Sequence, residues 1–470
     1  MPDPLIIDIH CHPSLKPFAH SYPSNKNSKK PKKRKSIWHQ IKPNQITEII
    51  NEYATTTHFT QSDFQTLLEG NVRVIFASLS PLEKGFFVSK LGTGPVTDIL
   101  TQWATGIGFR KINFIQDHKN YYSELELEMD FYKQLHNKEV HVDGVEKKYR
   151  IVRNYSEIMQ NLAESEDLIS VVICIEGGHV FNDNCLGEPD EDKILENLEA
   201  VLAWEYKPFF LAPAHHFWNH ICGHAYSLTD LVKHFLDQND HANTGITALG
   251  NKIIRKLMDH GVLIDIKHMS RESRREFYSL LEEDAYKNTP VIISHGNVNG
   301  HSTVYTDINH GTENGLFCGA DINFYDDEII KVAKSKGLFG IQLDERRIAS
   351  SKELEKIKHS LPLETKMEMY SSMLWNQILH IARTLDSVNE PAWDCMCIGS
   401  DYDGVVDPMD GFWTSSEYSL LYEHVLQQVR NFLNITPNSF VKEGNNLSAE
   451  EIVEKLFSKN VMAFLSANFI

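Results

Sequence analysis

Short apolar runs rich in β-branched residues recur along the chain, each followed by a longer stretch with helical period. Eight such runs stand at 5–9, 72–79, 171–175, 209–214, 262–266, 291–294, 338–343 and 396–399. They show little alternation of apolar and polar positions, which predicts strands buried on both faces, as in parallel sheets. The clearest helix is predicted over 246–260, where Ile246, Leu249, Ile253 and Leu257 form an apolar stripe and Gly261 supplies the stop. After the next run, Ser273-Arg274-Arg275-Glu276 fits a capping box ahead of Phe277, Leu280 and Leu281. Eight strand–helix alternations predict an α/β fold, a (β/α)8 barrel of TIM type. A doubly wound open sheet is the alternative that the strand count leaves open.

A bare barrel takes about 250 residues, and this chain has 470. The surplus falls into long insertions after strands one, two and seven, at about 13–70, 82–168 and 350–392. The second insertion holds a helical stretch over 124–135 and a hairpin around His141-Val142-Asp143-Gly144, whose Asp-Gly is a turn dipeptide. The third is a two-helix excursion. No internal repeat and no Pro-, Gly- or Ser-rich linker divides the chain, so a single domain over 1–470 is expected.

Composition narrows the class. Hydrophobic residues make up 41% and charged residues 23%, which excludes wholesale disorder. No run approaches the ~18 apolar residues of a membrane span. The net charge of −18 argues against a nucleic-acid binder. The acid is unevenly spread: 26–35 carries seven basic residues and no acid, leaving −25 on the rest. That decade has the look of a nuclear-localisation or nucleic-acid patch. The plainer expectation is a solvated, mobile loop of mutually repelling charges, with a lid for anionic ligands as a third option. Seven cysteines form no CxxC pair, and Cys174 and Cys397 lie in strand-like runs where a thiol packs as a small hydrophobe. The opening MPDPLIIDIHCH enters the first strand without a signal-peptide layout, so a cytoplasmic protein is expected, with no membrane or nucleic-acid partner. A homo-oligomer is left open.

The candidate chemistry lies at strand ends, which converge on one mouth of a barrel. Strand one ends in Asp8-Ile9-His10-Cys11-His12, strand three in Glu176-Gly177-Gly178-His179 and strand four in His215-His216. Strand five ends in Lys267-His268, strand six in His295 and strand eight in Asp401-Tyr402-Asp403-Gly404. In a strand, residues i and i+2 share a face, so His10 and His12 can point at one ion. Imidazoles suit zinc and a carboxylate can bridge two cations. Four imidazoles and a carboxylate exceed what one zinc takes, which points to two divalent ions, zinc first among them. Water held between two ions becomes a nucleophile near neutral pH, and an Asp past strand eight could carry its proton to a leaving amine.

These residues resemble the membrane (renal) dipeptidase family of the amidohydrolase superfamily. The likeness rests on IEGGH (175–179), GIT-x-LG (245–250) leading into GVLIDIKHMS (261–270), PVIISH (290–295), GSDYDG (399–404) and IVEKLFSKNVMAFL (452–465). The resemblance implies a metal-dependent hydrolase of a dipeptide or other small amide. It implies that Glu176 bridges two zinc ions, His10 and His12 hold one, and His268 and His295 the other. Asp401 would be the acid/base, and His215 would contact substrate or polarise its carbonyl. This chain has DxHxH at strand one where the family has DxHxD. It also lacks the family's carboxylate-clamping Arg: the stretch reads Asp321-Ile322-Asn323-Phe324-Tyr325-Asp326-Asp327, and Asp321 would repel a carboxylate. Arg346 or Arg347, past strand seven, would have to replace it.

Blander readings stand beside these. Any one of the histidines could be a packed core residue, and Asp403 is read as the cap of the following helix. His216, His220 and His224 are spaced for a second helical metal site, but are read as the polar face of a loop. Lys267 could be a carbamylated bridge, although Glu176 already offers one, and His179 is read as a packing residue. Two other functions remain: a metal- or ligand-binding pseudoenzyme, and hydrolysis of a lactone or phosphoester on the same metals.

Overall fold

The computed structural model describes residues 4–88, 93–117, 120–184, 188–228, 236–305 and 314–470. Among the described residues the fold is mixed α/β around a central sheet of ten strands. These are β1 (Ile6–Cys11), β2 (Val72–Leu79), β3 (Val140–Val142), β4 (Val145–Ile151), β5 (Leu168–Glu176), β6 (Phe210–Ala212), β7 (Leu263–Ile264), β8 (Ile292–Gly296), β9 (Leu338–Ile341) and β10 (Met396–Ile398). Each of the eight expected strands is present. The order runs β7-β6-β5-β2-β1-β10-β9-β8, with all neighbours parallel. Among the described residues the sheet is not a closed ladder: β7 and β8 meet only beyond β7, where Asp265 bridges Ile292 and the Ile266 N–H donates to the Ile292 carbonyl at 2.9 Å.

Alternate residues of the strands enter two apolar clusters, which explains the lack of alternation. Ile7, Val74, Val172, Phe210, Leu263, Ile292, Leu338 and Cys397, one from each of the eight strands, share one cluster with Val461, Phe464 and Leu465 near the C-terminus. Their sequence neighbours, among them Ile6, Ile75, Ile173, Leu211, Ile264 and Ile293, belong to the other, packed among helices. Burying both faces of the sheet is the main apolar term holding the strand ends in place.

The hairpin forms where Asp-Gly predicted it, with Val142 opposite Val145 and Asp143 and Gly144 both at positive φ. Less expected is that β4 also pairs in parallel with β5, Lys148 opposite Leu168. The helix predicted over 246–260 is Ala248–Asp259, capped by the Thr247 side chain, with Gly261 at φ +72° beyond its end. The capping box expected at 273–276 is not there. The next helix starts at Arg271 with Ser270 as its cap, and Glu276 instead accepts the Ile246 N–H at 2.6 Å. The stretch 124–135 is the helix Tyr121–Lys133, and 350–392 holds the short helix Ser351–Leu354 and the long helix Leu363–Ser387. Among the described residues no helix is long and apolar enough to cross a membrane.

Candidate metal centre

Every expected ligand lies at or just past a strand end, and the side chains meet. His10 comes from β1 and His12 follows it, Glu176 closes β5, and His295 is in β8. His215, His268 and Asp401 lie on the turns after β6, β7 and β10. His268 and Asp401 both take φ +64°, a left-handed backbone that costs a side-chain-bearing residue about 1–2 kcal/mol. Gly177 relieves the same crowding differently: at φ +96°, a Cβ there would stand 2.3 Å from His179 Nδ1 and 3.0 Å from the His215 Cβ.

The Glu176 carboxylate is the centre of the set. Its Oε1 is 3.0 Å from His268 Nε2 and 3.5 Å from both His295 Nε2 and His10 Nε2. Its Oε2 is 3.2 Å from His12 Nε2 and 3.5 Å from His215 Nε2. His10 and His12 Nε2 approach to 3.1 Å, and Asp401 Oδ1 lies 3.3 Å from His12 Nε2. Four donors set tetrahedrally about 2.1 Å from one ion stand about 3.4 Å apart, so these spacings are those of ligands converging on cations. The Nε2 of His295 is buried and makes no hydrogen bond, a lone pair aimed inward with nothing else to satisfy it. The residues present therefore fit divalent metal.

Burial pushes His268 down to about 3 and His295 well below its usual range, keeping both neutral as metal ligands must be. Burial opposes the charge of Glu176, but His215 and His10 outweigh it and hold the carboxyl well below its ordinary range. Burial would likewise lower His215, and the Glu176 and Glu83 carboxylates overcome it and raise it.

A buried frame orients these groups. Asp8 accepts the His10 N–H at 3.1 Å, the Ser400 N–H at 3.0 Å, the Ser400 hydroxyl at 2.6 Å and the Tyr418 hydroxyl at 2.7 Å. Asp265 accepts from the Lys267 N–H, the Ser294 N–H and the Ser294 hydroxyl, and Ser294 Oγ is 2.8 Å from His295 Nδ1. Two polar residues escaped the sequence reading. Glu83, four residues past β2, pairs with His215 Nδ1 at 2.6 Å and accepts the His216 and Phe217 N–H groups. Gln342, one past β9, donates to Asp401 Oδ2 at 2.9 Å and accepts from the Lys267 ammonium at 3.3 Å.

The residues expected to meet substrate are placed less simply. Arg346 forks onto Asp344 through Nε at 2.8 Å and Nη2 at 2.6 Å, and also donates to the Val405 carbonyl. Arg347 donates to the Ser227 carbonyl and lies near enough to add to the lowering of Lys267, which burial chiefly brings to about 8. Asp321 is buried, its Oδ1 accepting the Tyr325 hydroxyl at 2.5 Å. Asp403 caps no following helix. Its Oδ2 accepts the Gln61 and Ser62 N–H groups of the first insertion, and its Oδ1 pairs with Lys16 at 2.9 Å. The segment with His216, His220 and His224 is not helical, and His224 Nε2 is 3.0 Å from the Gln238 carbonyl. His179 packs on Tyr121 and meets the Pro81 carbonyl at 2.8 Å.

Residues 218–436 match the sequence model of the family described as membrane dipeptidase, peptidase family M19. Over that stretch the chain is similar to the membrane dipeptidase family. The expectation of a dipeptidase-like, metal-dependent hydrolase is met at the level of the family. The stretch includes His268, His295 and Asp401, while His10, His12, Glu176 and His215 precede it. Among solved structures, the chain is similar to the dipeptidase AC, a metallopeptidase of family M19, at 12% identity and TM-score 0.55, with 99% of each chain covered. It is also similar to a metallopeptidase from Rhodobacter sphaeroides liganded with a phosphinate mimic of the dipeptide L-Ala-D-Ala, at 12% identity and TM-score 0.54, covering 99% of this chain and 100% of that one. At such identity these likenesses are of fold.

Proposed function

We propose that the chain is a dipeptidase-like hydrolase of a small amide or peptide bond, dependent on two divalent metal ions, with zinc suited to the donor set. The observation that carries this reading is the meeting of five imidazole Nε2 atoms and Asp401 around the one buried carboxylate of Glu176. We read the eight parallel strands as a (β/α)8 barrel in a single domain, supported by the apolar cluster that all eight share and by the Asp265–Ile292 bridge.

His10 and His12 would hold one ion and His268 and His295 the other, with Glu176 between them. Metal bound there would polarise the scissile carbonyl and acidify an attacking water. Asp401, braced by Gln342, would take the nucleophile's proton at Oδ1 and return it to the leaving amine. His215, held at Nδ1 by Glu83, would present Nε2 to the substrate carbonyl. Arg347 and Asp321 would border the substrate. A metal-binding protein without catalysis is the second reading, favoured by the engagement of Arg346 with Asp344.

The test is metal analysis of the purified protein with a panel of dipeptides, including D-residue ones. Two metal equivalents, with hydrolysis abolished both by chelation and in Asp401→Asn, are expected. Full metal loading without hydrolysis of any member would favour the second reading, and a protein that takes up no metal would overturn both.

A further inference from the structure

The basic decade plays no part in the metal centre, and hydrogen bonds tie its base to the rest of the fold. Its ends are closed by the Ser28 N–H donating to the Lys35 carbonyl at 3.1 Å. Below that closure sits buried Asn27, which donates to the Phe131 carbonyl at 3.2 Å and accepts the Ile37 N–H at 3.2 Å. Gln134 ties the same base down, accepting the Asn27 N–H at 2.9 Å and donating to the Asn25 carbonyl at 2.9 Å. These bonds fix the loop against the end of the helix Tyr121–Lys133, from which the chain runs directly into the β3–β4 hairpin.

Between the loop and the residues that lead into β3 lies an open cleft of about 940 Å³, with Lys29, Lys30, Lys32 and Lys33 on one side and, on the other, Lys138 and His141, the latter 3.2 Å from Glu146. Among the described residues, none of the seven basic side chains of 26–35 has a carboxylate at ion-pair distance. This is not the habit of the chain. Lys148, Lys193, Lys252, Lys287 and Lys455 each have an acidic partner, and the chain as a whole is acid-rich. One carboxylate, Glu139, lines the cleft and pairs with none of the lysines. Holding so many like charges together costs stability unless something else neutralises them.

We propose that this cleft binds a small anion carrying clustered phosphates. Its volume is that of a small-molecule site. The lining cations are lysines, point charges that suit dense phosphate charge, without the planar fork that an arginine offers a carboxylate. Two separate elements contribute, so recognition depends on the cleft and not on the charge run alone.

The experiment is calorimetric titration of the full chain with inositol hexakisphosphate, and with inorganic tripolyphosphate as a second probe. Saturable binding is expected. It should weaken by about tenfold or more in K29Q/K30Q/K32Q/K33Q and by about threefold in K138Q, the scale of several and of one exposed charge contact. E139Q should tighten it, and added salt should weaken it. Binding that survives the fourfold substitution would locate the anion elsewhere, at the metal centre for instance, and would overturn the proposal. So would binding lost in the fourfold variant yet unchanged in K138Q, which would make the loop a mere charge run. Equal affinity for a glutamate oligomer of matched charge would overturn the phosphate assignment. Capture on phosphoinositide-containing vesicles without binding of the free hexakisphosphate would overturn it in favour of a membrane headgroup.

Discussion

Asp8 touches no expected substrate, yet replacing it should loosen both the fold and the metal centre. Its side chain is fully buried and accepts four hydrogen bonds, two from backbone N–H groups and two from hydroxyls. These join β1 to the turn carrying Asp401 and to the helix Tyr418–Ile435. In Asp8→Ala all four donors lose that acceptor, though the Ser400 hydroxyl keeps the His10 carbonyl at 3.3 Å. A buried donor left unmade costs about 1–3 kcal/mol, so three of them, partly relaxed, should cost about 3–6 kcal/mol. Burial already holds the Asp8 carboxyl above its ordinary range, so its charge adds little to stability. Asp8→Asn keeps an acceptor for the N–H pair and faces hydroxyls that can turn to accept, so about 1–2 kcal/mol is expected. Asp265→Ala strips only three donors and should fall between the two. Urea unfolding at neutral pH measures the order, and metal titration the coupling, since loss of a supporting group typically weakens metal binding by about tenfold to a hundredfold. An Asp8→Ala protein that loses less than about 1 kcal/mol, within the range of ordinary substitutions, would refute the structural role given to this carboxylate.

Two further outcomes follow from the same frame. Glu83→Gln should lower turnover of a dipeptide substrate by about tenfold or more at unchanged metal content, because it removes the carboxylate behind His215 and leaves an acceptor for only one of the two N–H groups; unaltered turnover would remove Glu83 from the site. Asp63, which accepts the Gln65 and Thr66 N–H groups, has its carboxyl raised by burial to about 7 from an unfolded value of 3.8. The native state then holds a proton that the unfolded chain has released, so this group lowers stability as pH rises from about 4 to 7. Asp63→Asn should flatten that fall in pH-dependent denaturation, and an identical slope in both proteins would show the carboxyl titrating normally.

The parallel strands were legible because burial on both faces leaves an uninterrupted apolar run. β5 shows the limit: its first residues, from Leu168, lie outside the run read at 171–175, since Ser170 breaks the apolar pattern while remaining buried. β4 was read only as half of a hairpin. Its sequence, VEKKYRI, is polar at most positions because it borders the sheet, and nothing local signals that its far end pairs with β5. Ser270 and Ser273 are both serines suited to cap a helix. The choice fell to tertiary contact, since Ser273 donates instead to the Gly223 and Thr244 carbonyls.

The site was legible for a different reason: residues far apart in the chain meet because each follows a strand. That rule named no residue after β2, and after β9 only Arg346 and Arg347, because Gln342 fell inside the run read at 338–343. Extended evenly, to within four residues past each of the eight strands, it reaches Glu83 after β2 and Gln342 after β9 as readily as it reaches His268 after β7. Both touch the set directly, Glu83 at His215 and Gln342 at Asp401. With them, all eight strands that share one apolar cluster send a polar side chain to the same place. Mutual hydrogen bonding of that kind cannot arise from strands splayed in a flat sheet, where the end strands β7 and β8 would lie farthest apart. His268 and His295, from those two ends, stand 3.0 and 3.5 Å from one carboxylate oxygen. The curvature that brings them together is the strongest support for reading the open ladder as a barrel.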